Sequence, residues 1–167
     1  MANLINPMPG SFGTASFEPL RKNRFFLRFD SALGIAEWYV STAERPKLKI
    51  DETEIQYLNG STWVAGRAVW EPITVVLRDP IGPSATQATI EWVRLCYESV
   101  TNRSGYATGY KRNVDLEMLD PTGVPVQRWV LQGTWISNAD YGNLDYSSSD
   151  IADITLNLRF DRAINVF

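Results

Sequence analysis

Short segments in which every second residue is apolar recur along this chain, and that two-residue period constrains its fold more than any other feature. Successive side chains on a strand point to opposite faces, so such a segment reads as a strand with one buried and one wet face. Phe25, Leu27 and Phe29 alternate with Arg24, Arg28 and Asp30, with Phe26 breaking the pattern. Val114, Leu116 and Met118 alternate with Asp115 and Glu117 on the strand 112–120. The stretch from Ile154 to Asp161 alternates most cleanly, and it places Thr155, Asn157, Arg159 and Asp161 on one polar face. Further strands are expected over 37–42, 73–78 and 126–135, with a polar connection over 138–149.

One helix interrupts the strands. Asp79-Pro80-Ile81-Gly82-Pro83 ends a strand, Ser84 is placed to cap, and Gln87 three residues on completes a capping-box pattern. The helix is expected from Ala85 to about Val100, with Ile90, Val93, Tyr97 and Val100 facing the core at helical spacing. Many strands and one helix predict a mainly β fold, an antiparallel sandwich or barrel with one flanking helix. The 167 residues suffice for one domain. We divide them into an extended Pro-, Gly- and Ser-rich arm over 1–23 and a single β domain over 24–167.

Residues 44–67 do not fit a core. Two weak strands flank Asn59-Gly60, a pair that tolerates positive φ and favours a hairpin turn. Few of these residues could reach the interior. A long hairpin over about 46–67 that stands away from the body is expected, and such an element needs a partner to be stable.

The residue types available exclude most chemistry. There is no histidine, which removes histidine-based triads, histidine metal ligands and imidazole acid–base work. The single cysteine, Cys96, cannot form an intrachain disulfide and has no histidine to activate it. Gly105 to Lys111 lacks the spacing of a phosphate loop. Asp140, Asp145, Asp150 and Asp153 lack the ligand order of a calcium loop. Asp115 and Glu117 read as a charged strand surface, not a catalytic pair. No cofactor is expected. The formal net charge of −3 provides no overall basic excess for holding nucleic acid. No apolar run is long enough to span a bilayer as a helix, and the N-terminus lacks a secretory pattern, so a protein made and kept in a cytosol is expected.

Several motifs, taken in order, resemble the tail tube proteins of contractile-tailed bacteriophages. They are Arg24-Phe25-Phe26-Leu27-Arg28-Phe29, then Glu54-Ile55-Gln56-Tyr57-Leu58-Asn59-Gly60, Trp63-Val64-Ala65-Gly66-Arg67 and Trp70-Glu71-Pro72-Ile73-Thr74-Val75. Ile90-Glu91-Trp92, Gly109-Tyr110-Lys111-Arg112, Trp129-Val130-Leu131-Gln132-Gly133-Thr134-Trp135-Ile136-Ser137-Asn138 and the region from Leu144 to Ile151 continue the series. Their shared order over about residues 24–163 makes the resemblance specific.

The resemblance implies a non-enzymatic virion protein with the fold of type VI secretion inner tubes. Six copies would form a ring whose inner sheets join around a lumen, and rings would stack into the conduit for DNA ejection. The partners implied are other copies of the chain, a contractile sheath, baseplate and tail terminator proteins, a tape measure protein, and phage DNA in transit without tight binding. Assembly would take place in the bacterial host cytoplasm, with no membrane involved. The hairpin would reach the adjacent ring, which nominates Glu54, Gln56, Tyr57, Asn59, Gly60, Trp63 and Arg67 as stacking residues. Thr155, Asn157, Arg159, Asp161, Asp115 and Glu117 are candidates for a polar face on either the lumen or the outside. The alternatives are a baseplate tube initiator, or the inner tube of a contractile injection or type VI-like system.

Overall fold

The computed structural model describes residues 19–167, so most of the expected arm lies outside the described residues. Its strands are β1 (Phe25–Arg28), β2 (Val40–Ala43), β3 (Leu48–Tyr57), β4 (Gly60–Trp70), β5 (Ile73–Arg78), β6 (Tyr97–Glu98) and β7 (Arg103–Ser104). They continue as β8 (Arg112–Leu119), β9 (Pro125–Asp140), β10 (Asp153–Arg159) and β11 (Arg162–Asn165). Helices α1 (Ala85–Cys96) and α2 (Ala107–Tyr110) complete the order.

The main sheet runs β1-β8-β9-β10-β5-β2, all antiparallel, with β11 also on β9. Strand β9 makes one core out of it. Its first part pairs with β8 on one side and β11 on the other, and its last residues pair with β10. The strand bends at Gly133, whose φ of 67° is left-handed. Asp161 occupies the corner between β10 and β11 there, donates its N–H to Gln132 O (3.0 Å), and lays its carboxylate where a Cβ on Gly133 would stand. Leu27, Val114, Leu116 and Leu131 from one half then meet Ile73, Val75, Leu77, Ile154, Leu156 and Leu158 from the other in a single buried cluster. Burying each such side chain contributes about 1.5–3 kcal/mol. The sandwich does not close into a barrel: β1 and β2 end the sheet, each with one unpaired side among the described residues.

Several boundaries differ from expectation. Glu37–Tyr39 is a 3-10 turn that buries Tyr39, and only Val40 onward pairs as a strand. Strand β9 is longer than expected and takes in Asn138, because the bend at Gly133 lets it serve both halves. The last alternating stretch ends at Arg159, and a separate β11 follows the corner. Helix α1 ends at Cys96, since Tyr97 leaves to pair with Ser104. Its buried stripe is Ala85, Thr89 and Trp92, not the expected one. Val93 packs at the edge of the core, while Tyr97 is exposed and Val100 is 84% exposed. Trp92 sets the helix's rotation: its indole N–H donates to Tyr110 O (2.8 Å), and its ring meets Phe29 edge-on.

Two side chains hold the start of α1. Ser84 Oγ accepts from Gln87 N (3.4 Å), as the capping pattern predicts. Asp79, read in the sequence only as part of a turn, accepts from Ala85 N (2.9 Å), Thr86 N (3.2 Å), Ser84 Oγ (3.1 Å) and the Thr86 hydroxyl. Burial pushes its carboxyl upward, but the hydrogen bonds from Thr86, Ser84 and Ala85 outweigh that and hold it below its ordinary value. A depressed pKa stabilises the fold above the carboxylate range, and the gain is lost as the pH falls through it. Asp79→Asn therefore lowers stability at pH 7 by roughly 1–2 kcal/mol. Urea unfolding of the two chains will show a gap that narrows as the pH is brought below about 4.

Candidate assembly interface

The hairpin of β3 and β4 runs over 48–70, two to three residues later than the expected 46–67. Its ten- and eleven-residue strands reach roughly 33 Å at strand rise. All of its residues but Trp70 are exposed. Its root is fixed to the body. Glu44 accepts from Thr74 N (3.1 Å) and Lys47 Nζ (3.3 Å), Glu71 N donates to Lys47 O (2.9 Å), and the Trp70 ring lies 6.0 Å from that of Phe160. The backbone N–H of Thr74, then Lys47, holds the Glu44 carboxyl below its ordinary value against its partial burial.

The turn sits one residue earlier than expected. Tyr57 pairs with Gly60, so Leu58 and Asn59 are the turn residues, and the left-handed backbone (φ 52°) falls on Leu58. Near the root the register shifts between Ile50 and Glu52, so that Asp51 opposes both Gly66 and Arg67. Gly66 suits that bulge because a Cβ there would stand 3.0 Å from Asp51 O. The extra residue reverses the parity of β4, which keeps Trp63 and Ala65 on the same face as Ala68 and Trp70.

The two faces follow from this register. One carries Leu48, Ile50, Trp63, Ala65, Ala68 and Trp70 along with Glu52, Glu54 and Gln56. The other carries Ile55, Tyr57, Val64 and Val69 along with Lys49, Asp51, Thr53 and Thr62. An ordinary surface hairpin keeps one face polar, and this one keeps neither. Trp63 is 60% exposed, Tyr57 78% and Leu58 87%. The sequence-nominated stacking residues thus lie together on one ribbon: Glu54, Gln56 and Trp63 on one face, Tyr57 on the other, Asn59 and Gly60 at the tip, and Arg67 in the bulge.

The candidate polar-face residues fall in three separate places. Thr155, Asn157 and Arg159 are half-buried on the outward side of β10, where Thr74 Oγ1 lies 3.2 Å from Asn157 Oδ1. Asp161 is in the corner instead, held by Lys111 Nζ at 2.7 and 2.9 Å. Asp115 and Glu117 lie on the outward side of β8, but Glu117 is only 4% exposed, contrary to its reading as an open surface acid. Arg28 and Arg128 on the flanking strands cover it. Arg28 Nη1 stands 3.2 Å and Arg128 Nε 3.6 Å from its carboxylate, while Arg28 also reaches Glu37 (2.8 Å) and Arg128 pairs with Asp115. Sequence alternation placed Arg28 outward but gave no sign that Arg128 joins it, which depends on the β1-β8-β9 register.

Among the described residues, no group of acids and cysteines is placed to hold a metal. The cleft under the 141–152 loop holds Asp145, Asp150 and Asp153. Hydrogen bonds from Ser147 hold the Asp145 carboxyl below its ordinary value, the wrong direction for a general acid. Among the described residues, no helix is long and apolar enough to cross a membrane.

The sequence profile of the T4-like virus tail tube protein gp19 matches residues 47–163, which include both hairpin strands and the sandwich from β5 to β10. The chain belongs to that tail tube family. Tail tube membership makes it a structural component of a phage or phage-like contractile particle, not an enzyme. Solved structures share the tail tube fold. The tube terminating cap of the anti-feeding prophage matches with a TM-score of 0.72 at 18% identity, covering 99% of this chain and 98% of that one. The sheath–tube complex of an extracellular contractile injection system matches at 0.70 and 16%, covering 88% and 90%. A chain of the anti-feeding prophage baseplate matches at 0.61 and 18%, covering 90% and 97%. Comparison with curated protein sequences finds no match.

Removing a cation from Glu117 leaves a buried carboxylate short of a partner, whereas removing Glu117 leaves each arginine with a second acid. Arg28→Met is therefore expected to cost roughly 2 kcal/mol, less than a fully stranded charge because Arg128 remains. Glu117→Met costs less, and in urea unfolding the double variant recovers part of the Arg28→Met loss.

Proposed function

We propose that this chain is the repeating subunit of a tail tube, in which hexameric rings stack into the conduit that DNA traverses inside a contractile sheath. The observation that carries this reading is the hairpin with apolar groups on both faces. Nothing among the described residues covers it, and a two-stranded ribbon is marginal without a partner. A repeating stack supplies one: each ring's ribbons lie against the next ring, and the open-ended contact generates length. The unpaired sides of β1 and β2 call for the same remedy within a ring, where strand edges of neighbouring copies close a continuous wall. The outward faces of the sandwich carry matched charges, Arg28 and Arg128 against Asp115 and Glu117. A wall without a cationic excess lets phosphate pass without gripping it.

Likeness to a terminating cap and a baseplate chain motivates a second reading, a single ring at one end of the tube. A repeating subunit is present in many rings per particle and an end ring in one, so copy number in purified particles separates them. In this reading the sheath, baseplate, terminator and tape measure proteins are partners of the assembled tube.

Deletion of Asn59 to Thr62 shortens the ribbon at its tip, away from the sandwich core. The deleted chain is expected to keep its circular dichroism spectrum and thermal transition while losing all sedimentable tubes. Tubes that form as before would remove the hairpin from the stacking contact.

A further inference from the structure

We propose that the chain's own N-terminal segment, residues 1–18, seats its apolar side chains in an open mouth between the edge strands β1 and β2. The mouth is walled by Leu20, Phe25, Ala43, Pro46, Leu116 and Met118. Leu116 and Met118 come from the core side of β8, and Phe25 packs against the same core. The mouth is therefore an end of the sandwich where the apolar interior meets solvent, a surface that favours an apolar cover. Its rim is mainly cationic, with Lys22, Arg45 and Lys47 against Glu44.

Several observations select the occupant. Leu20 is itself part of the wall, so the described chain begins at the mouth. Eighteen residues precede that start, with an extended reach of roughly 60 Å. They include Leu4, Ile5, Met8, Phe12 and Phe17, and their single charged side chain is Glu18, the right sign for the rim. Their Pro, Gly and Ser content leaves too little apolar surface for a core of their own. A tether this short holds the segment at the mouth at roughly millimolar effective concentration, which favours the chain's own segment over another copy's.

Thiol labelling of the full chain tests this. Ala43→Cys on the wall and Lys47→Cys on the rim are each placed in a Cys96→Ala background, and Val100→Cys serves as a control away from the mouth. Each is compared with the same chain carrying Leu4→Ser, Ile5→Ser, Met8→Ser, Phe12→Ser and Phe17→Ser, with matched circular dichroism. Iodoacetamide is expected to label positions 43 and 47 at least fivefold faster when the segment carries serines, with position 100 unchanged and no dependence on protein concentration. If the wall variant does not fold, the exposed position 47 carries the comparison alone. Equal rates in the two arms overturn the proposal. Labelling is read at dilutions where the chain sediments as single copies, so that ring contacts at β1 and β2 play no part; a difference between the arms that arises only at concentrations where copies associate also overturns the proposal, because another copy would then fill the mouth.

Discussion

The structure depends on hydrogen-bonding edges and apolar surface that the described residues leave uncovered. A strand edge presents unpaired N–H and C=O groups, and an apolar ribbon face presents side chains to water; both are costly in a monomer unless something covers them. This chain has the first at β1 and β2 and the second on β3 and β4. Its core has no such shortage. Leucines, isoleucines and valines from both halves of the sandwich bury one another, and Trp92 from α1 joins them. The molecule thus separates a self-sufficient body from a surface that the described residues leave bare, a separation suited to a subunit of a tail tube.

Rigidity at the boundary between the two makes the arrangement work. The hairpin can transmit a contact only if its root is fixed, and Glu44, Lys47, Glu71 and Trp70 fix it to β5 and to the Phe160 end of β10. The bulge at Gly66 adds alignment, because without it Trp63 and Trp70 would face opposite ways. The body is stiffened by the corner at Gly133 and Asp161 and by the ionic row across β1, β8 and β9. That row neutralises its own charges, so the outward face of the sheet is polar without a strong field of either sign.

Much of this was legible in the sequence, and the parts that were not share a cause. Alternation located β1, β5, β8 and β10, because each has one face in the core and its pattern is local. The hairpin was legible by default, as a stretch with strand-forming residues and too few candidates for a core. What failed depended on residues distant in the chain. The length of β9 depends on Asp161 meeting Gly133, and the burial of Glu117 on Arg28 and Arg128 arriving from two other strands. Apolar spacing alone rotates helix α1 onto the wrong face, because Ile90, Tyr97 and Val100 are more apolar than Thr89, whereas Trp92 and its bond to Tyr110 O set the face. Asn59-Gly60 signalled a turn correctly, but cross-strand pairing placed it on Leu58 and Asn59.

Cryo-electron microscopy of the concentrated, purified chain tests the central claim most directly. The account predicts hollow rods of regularly repeating rings, with both faces of the 48–70 ribbon covered by neighbouring copies and the edges of β1 and β2 no longer open to solvent. Particles that remain single copies at every concentration, with the ribbon bare on both sides, would contradict it.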